Sequence, residues 1–267
     1  MKLPLFQIDA FSQRPFAGNP AAVVLLPAWI EDAVLQAIAA ENNLSETAFM
    51  VARDSADYEL RWFTPTTEVD LCGHATLAAA WVHFHRLGGD GAEVRFDTMS
   101  GIMPVRRDDQ RLVLDFPARA GKPVPADPAL LDALALTQEQ VSAVVQARDT
   151  LVVLKSLDDV ASLQPDMAAL SALDTFAVIA TAPGNDCDFV SRFFAPARGI
   201  PEDPVTGSAH CTLVPWWATH LQRSELFARQ ISRRGGELWC QQRGDRVLIG
   251  GHGVCVLEGT LLIEAAP

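Results

Sequence analysis

The sequence predicts an α+β protein of two pseudo-symmetric halves, each a curved, mostly antiparallel sheet around one central helix. Three observations carry this expectation. The chain contains an internal repeat, each half holds one long helical pattern that is apolar nearly all round, and short β-type runs alternate with these helices.

The repeat comes first. "VVLLPAWIEDAVLQAIAAENNLSETAFMVA" (23–52) lies on "LVVLKSLDDVASLQPDMAALSALDTFAVIA" (151–180) at a spacing of 128 residues. Both copies read as strand, amphipathic helix, strand, and the alignment sets Glu46 on Asp174. Further on, "EVDLCGHATL" (68–77) lies on "EDPVTGSAHC" (202–211) at a spacing of 134, so that Gly73 meets Gly207, Cys72 meets Thr206 and His74 meets Ser208. A period this long is no solenoid repeat and points to a duplicated domain. The competing reading is chance similarity between segments rich in Ala, Leu and Val.

The central helices follow the second repeat. "GHATLAAAWVHFHRLG" (73–88) is apolar around most of its circumference, as a buried helix is, and Gly88 suits its stop. "GSAHCTLVPWWATHL" (207–221) reads as its counterpart, with Pro215 removing one backbone hydrogen bond and bending the helix. The β-type runs are 59–63, 93–98, 111–116, 189–194, 246–251 and 260–265. "PARAGKPVPADP" (117–128) is the natural boundary. This gives halves of 1–118 and 119–267, with the final strand able to return to the first half.

Composition narrows the function. The 267 residues carry 33 Asp and Glu against 21 Lys and Arg, a net charge of −12. Nucleic acid and anionic membranes want a positive footprint, so neither is the expected partner. No apolar run reaches the length of a membrane span, and the N-terminal stretch is too short and broken for a signal peptide. Five cysteines without a C-x-x-C pair suit reduced thiols and a cytoplasmic setting.

Motifs narrow it further. No dinucleotide fingerprint, P-loop, H-E-x-x-H or G-x-S-x-G occurs. His83 and His85 are two apart and diverge on a helix, which argues against a metal there. The same spacing keeps His210 from serving Ser208 as a base. The small residues Thr206, Gly207 and Ser208 can let an anion approach free helix-start N–H groups, and Cys72, Gly73 and His74 allow the same. Plain N-capping by Thr206 is the competing reading.

Four blocks then carry a resemblance: "DAFSQRPFAGNPAAVV" (9–24), "NNLSETAF" (42–49), "TPTTEVDLCGHATLAAAW" (64–81) and "EDPVTGSAHCTL" (202–213). Together, and in this order over nearly the whole chain, they resemble the PhzF-like family of phenazine biosynthesis. The resemblance implies the diaminopimelate-epimerase-like fold, with a site between two pseudo-symmetric halves. It implies Glu46 as catalytic acid/base, with His74 and Asp203 contacting and orienting the substrate. It places Asn19, Cys72, Gly73, Thr206, Gly207 and Ser208 among the substrate-binding positions. The alternatives are a surface carboxylate at a strand start for Glu46 and a turn residue before Pro204 for Asp203.

Epimerases of this fold use two thiols, and here Thr206 stands at the second position, which disfavours that chemistry. The expectation is therefore an isomerase or epimerase that needs no organic cofactor and no metal. It would move a proton on a small carboxylic acid, and the family implies a homodimer. The alternatives are a non-catalytic small-ligand or protein-binding module with the same cleft, and a serine hydrolase.

Overall fold

The computed structural model describes residues 1–53 and 57–263. The chain divides into two compact units: Met1–Asp115 with Gly250–Pro267, and Phe116–Ile249.

In the first unit, strands β1 (Lys2–Ala10), β2 (Asn19–Leu26), β3 (Glu46–Ala52), β4 (Tyr58–Phe63), β5 (Glu68–Val69), β6 (Glu93–Thr98), β7 (Gly101–Asp108) and β8 (Arg111–Pro117) surround two helices. Helix α1 (Asp32–Asn42) is the crossover between β2 and β3, which pair in parallel with Ala21 opposite Glu46. Neighbouring ladders β1–β2, β3–β4, β6–β7 and β7–β8 are antiparallel, while β4–β6 is parallel. Leu35, Ile38 and Ala39 of α1 pack on Leu3, Val24, Phe49 and Phe63.

Helix α2 (Gly73–Arg86) is the apolar helix of the sequence pattern. Ten of its fourteen residues are buried, and it packs on β1, β2 and β3. Small residues at 78–80 let the strands come close, and burial of this kind is the main favourable term in folding. The helix stops as expected: Gly88 adopts φ +76°, and the Gly89 N–H reaches back to the His83 carbonyl at 3.1 Å.

The second unit holds β9 (Lys122–Val124), β10 (Val141–Gln146), β11 (Thr150–Leu154), β12 (Val178–Pro183), β13 (Phe189–Ala195), β14 (Ile200–Asp203), β15 (Glu225–Gln230), β16 (Gly236–Arg243) and β17 (Arg246–Gly251). β9 falls inside the Pro-rich boundary segment and pairs antiparallel with β10. β11 and β12 are parallel, as β2 and β3 are, so both repeat copies make a strand–crossover–parallel strand unit. The second crossover is two short helices, α4 (Leu157–Ala161) and α5 (Met167–Ser171), where one amphipathic helix is expected. Pro165 separates them, and Ser156 and Asp166 cap their starts.

This break shifts the register. Ala22 and Thr150 are 128 residues apart, but their strand partners Thr47 and Val178 are 131 apart. Asp174 therefore does not occupy the structural position of Glu46, and the residue there is Ala177.

A 3₁₀ turn (Gly207–Ala209) leads into α6 (His210–Leu221), which packs on β15 and β16. A short helix α3 (Pro128–Ala133), α4 and α5 cover β10–β13 in a core that includes Leu130, Leu134, Val152, Leu170 and Phe194. β18 (Gly253–Leu262) then re-enters the first unit as an antiparallel partner of β1. The second unit accordingly ends at Ile249, short of the C terminus. Residues 264–265 of the expected final strand lie outside the described residues. Among the described residues no helix is long and apolar enough to cross a membrane.

Candidate active site

Three element starts converge in the first unit. β2 begins at Asn19, its parallel neighbour β3 begins at Glu46, and α2 begins at Gly73. Their side chains meet. His74 Nε2 lies 3.0 Å from Glu46 Oε2. His74 Nδ1 lies 3.2 Å from the Asn19 amide nitrogen and 3.5 Å from the Cys72 sulfur. All four residues are buried, with Glu46 9% exposed and His74 5%. The surface-carboxylate alternative for Glu46 therefore fails.

The His74–Glu46 contact is a charge pair without an aligned hydrogen bond: Nε2 and Oε2 are both buried without a hydrogen-bonding partner. Buried polar atoms are seldom left this way, and each such atom asks for a reason. Both remain able to engage a reacting group.

Burial alone would lower the His74 pKa. The Cys72 sulfur and the Glu46 carboxylate beside it oppose burial, and together they raise it well above the ordinary histidine value. Cys72 itself is pushed up to about 11, by burial first and by Glu46 second, although His74 and the Ala75 N–H oppose this. At neutral pH Cys72 is thus a thiol, and the pairing that sustains the His74 charge is the one with Glu46.

Glu46, Cys72 and His74 bring donor atoms within 4.8 Å of one another. A metal needs ligands that converge on one point. The three donor atoms therefore lie close enough in a buried cluster for the set to hold a metal ion as well as a proton.

The second unit holds the other expected residues. Thr206 Oγ1 donates to Asp203 Oδ2 at 2.5 Å, and no side chain caps this helix start. The N-capping reading of Thr206 is therefore replaced: its hydroxyl is spent on Asp203. The Thr206 N–H donates to Gln230 Oε1 at 2.8 Å, and Gln230 Nε2 donates to the Asp203 carbonyl. Asp203 is 8% exposed and Gln230 0%, so the aspartate belongs to a buried network of the second unit and is more than a turn residue.

Sequence reasoning missed Gln230. Its signal was present: along β15 the inward positions read Leu226, Ala228, Gln230, a polar residue in the apolar register.

Gly207 is buried and Ser208 is half-buried at the 3₁₀ start. Ser208 Oγ lies 3.5 Å from Arg148 Nη2, whereas His210 Nδ1 bonds the Thr206 carbonyl. His210 therefore does not activate Ser208, as the spacing predicts.

Fold and site define one class. The family model for phenazine biosynthesis-like proteins matches residues 8–259. An uncharacterized isomerase of Pseudomonas aeruginosa is 51% identical over 264 residues, covering 99% of this chain and all of that one. The crystal structure of a PhzF-family phenazine biosynthesis protein from Enterococcus faecalis superposes with a TM-score of 0.95 at 44% identity, covering 98% of this chain and all of that one. A predicted epimerase from Pseudomonas aeruginosa shares the fold alone, with a TM-score of 0.76 at 22% identity, over 98% of this chain and all of that one. The chain belongs to the phenazine biosynthesis-like (PhzF) family, and it has the epimerase-like fold of that family's solved structures.

Proposed function

We propose that this chain, an isomerase by family, moves a proton between two carbons of a small carboxylic acid without an organic cofactor, with Glu46 as the acid/base. The observation that carries this reading is the buried Glu46–His74 pair at 3.0 Å, formed where three elements begin. Glu46 takes a proton from one carbon, the double bond shifts, and the carboxyl returns the proton to another carbon. Negative charge that develops on the substrate is met by the protonated His74 beside the base. Asp203, held by Thr206 and Gln230, is assigned to binding and orienting the same substrate.

Two-thiol chemistry has little support. Thr206 donates to a carboxylate, and Cys72 is held as a thiol.

The test uses small carboxylic acids from a metabolite extract that raise the melting temperature of the protein. In D₂O the wild type should introduce deuterium into one of them, read by mass spectrometry. Glu46→Gln keeps shape and removes the base, so exchange should fall by roughly two to four orders of magnitude while binding persists. Asp203→Asn and His74→Ala should weaken binding as well as turnover. A Gln variant within about tenfold of wild type, well short of that range, would make Glu46 a bystander. Binding by the wild type without any exchange would instead support a ligand-binding module.

A further inference from the structure

The second unit carries an arginine cluster that the proton-transfer reading leaves unused. Arg148, just before β11, is clamped from two sides. Its Nε and Nη2 donate to the two carboxylate oxygens of Asp149, at 3.1 and 3.3 Å. Asp149 is fully buried, so this acid anchors the guanidinium from below. The Phe176 ring lies against the guanidinium at 4.3 Å, and Arg198 sits over the same ring at 4.7 Å.

An arginine has a side edge (Nε and Nη2) and an end edge (Nη1 and Nη2). Asp149 occupies the side edge. The end edge is the one beside Ser208, whose Oγ is 3.5 Å from Nη2. That distance is too long for a strong bond, so the edge still has hydrogens to give. About a third of the Arg148 side chain is exposed, enough for a small ligand to reach it.

A second arginine supports the same spot. Arg119 Nη1 is buried without a hydrogen-bonding partner, and the Arg119 backbone N–H donates to the Cys211 carbonyl. Burial raises the Cys211 thiol to about 11, and the charges of Arg119 and Arg148 oppose it. In a protein of net charge −12, Arg148 and Arg198 on one ring, with Ser208 and one anchoring acid, make a local positive site.

We infer that Arg148 is a carboxylate-binding residue of the second unit, which offers its end edge to a small carboxylic acid, with Ser208 completing the contact. The inference rests on the proposed function for the substrate class. It adds a residue that binds an anionic group. A guanidinium held by a buried acid and a ring is pre-organised, and a planar fork is matched to a carboxylate.

The probe is benzoate, with benzamide as its neutral isostere, each titrated by calorimetry into the wild-type protein. Benzoate should bind saturably and benzamide should not. Arg148→Met together with Asp149→Asn removes the fork without stranding a buried charge, and should weaken benzoate roughly ten- to a hundredfold. Arg148→Lys keeps the charge and the Asp149 pair but loses the fork, and should also weaken it. Circular dichroism establishes that both variants fold.

Glu46→Gln should bind benzoate like wild type, which separates this inference from the assignment of the base. Wild-type affinity in the folded Lys variant, equal binding of benzamide, or no saturable binding of benzoate to the wild type would each overturn the role of Arg148. None of these outcomes bears on the deuterium-exchange test of Glu46.

Discussion

Two buried histidines carry opposite electrostatics at the residue scale. Burial would lower the pKa of His74, but the Cys72 sulfur and the Glu46 carboxylate beside it hold it well above its ordinary value. Its contribution to stability is present below the unfolded value near 6.5 and is lost as pH rises through the folded value. His210 is the reverse case. It is fully buried, and burial pushes it down to about 4 despite its bond to the Thr206 carbonyl. Between about pH 6.5 and 4 the unfolded chain takes up a proton on this residue that the native state refuses. Stability should therefore fall with pH across that window, by up to about 3 kcal/mol from this residue. His210→Gln should flatten the slope between those values relative to wild type, measured by urea denaturation at several pH values. The windows of the two histidines meet near 6.5, so the His74 contribution above it is undisturbed by the variant. A slope unchanged in His210→Gln would show that the acid loss lies elsewhere.

At the scale of elements, the central helices show how one duplicated motif is finished in two ways. Both end with a Trp and a His four residues on. His85 Nδ1 bonds the Trp81 carbonyl at 2.9 Å, and His220 Nδ1 bonds the Trp216 carbonyl at 2.8 Å. The imidazoles stack on the same tryptophans at 4.4 and 3.8 Å. Trp81–His85 and Trp216–His220 lie 135 residues apart, one residue out of the 134-residue register of the helix starts. The helices differ at Pro215. A proline there leaves the Cys211 carbonyl without its helical donor, and the Arg119 N–H supplies one at 2.8 Å. An interior proline otherwise costs about 3 kcal/mol. Pro215→Ala should therefore change stability by less than about 1 kcal/mol, well short of that cost, because the carbonyl it would re-pair is already served. Chemical denaturation measures this, and a gain near the full helical cost would show that Arg119 is no effective substitute.

For the whole molecule, the chain closes on itself in the first unit. β18 pairs with β1 along Lys2–Ala10, so the two ends of the sequence share one ladder. Truncation after Gly251 strips β1 of that partner and exposes a strand edge that includes Leu3, Phe6 and Ile8, all buried in the full chain. The truncated protein should be insoluble or lack near-ultraviolet circular dichroism, and a soluble, folded product would show that β18 is dispensable. Much of this molecule was legible in the sequence, because period and repeat are local properties. The buried helix at 73–86 and the strand–crossover–strand copies follow from residue order, and the blocks carrying Glu46, His74 and Asp203 were legible through their resemblance to the family. The Pro165 break, by contrast, slides the second crossover by three positions, and only strand pairing reveals that Asp174 is no counterpart of Glu46. Partners far apart in the chain were also invisible. Gln230 serves Thr206 from 24 residues away, and Arg148 reaches Ser208 across 60. The sequence by itself determined which segments are apolar and which blocks repeat, since these depend on neighbours along the chain. The tertiary structure alone decided which polar groups are buried together, because the pKa of His74 and the clamp on Arg148 arise from charges that folding brings within a few ångströms.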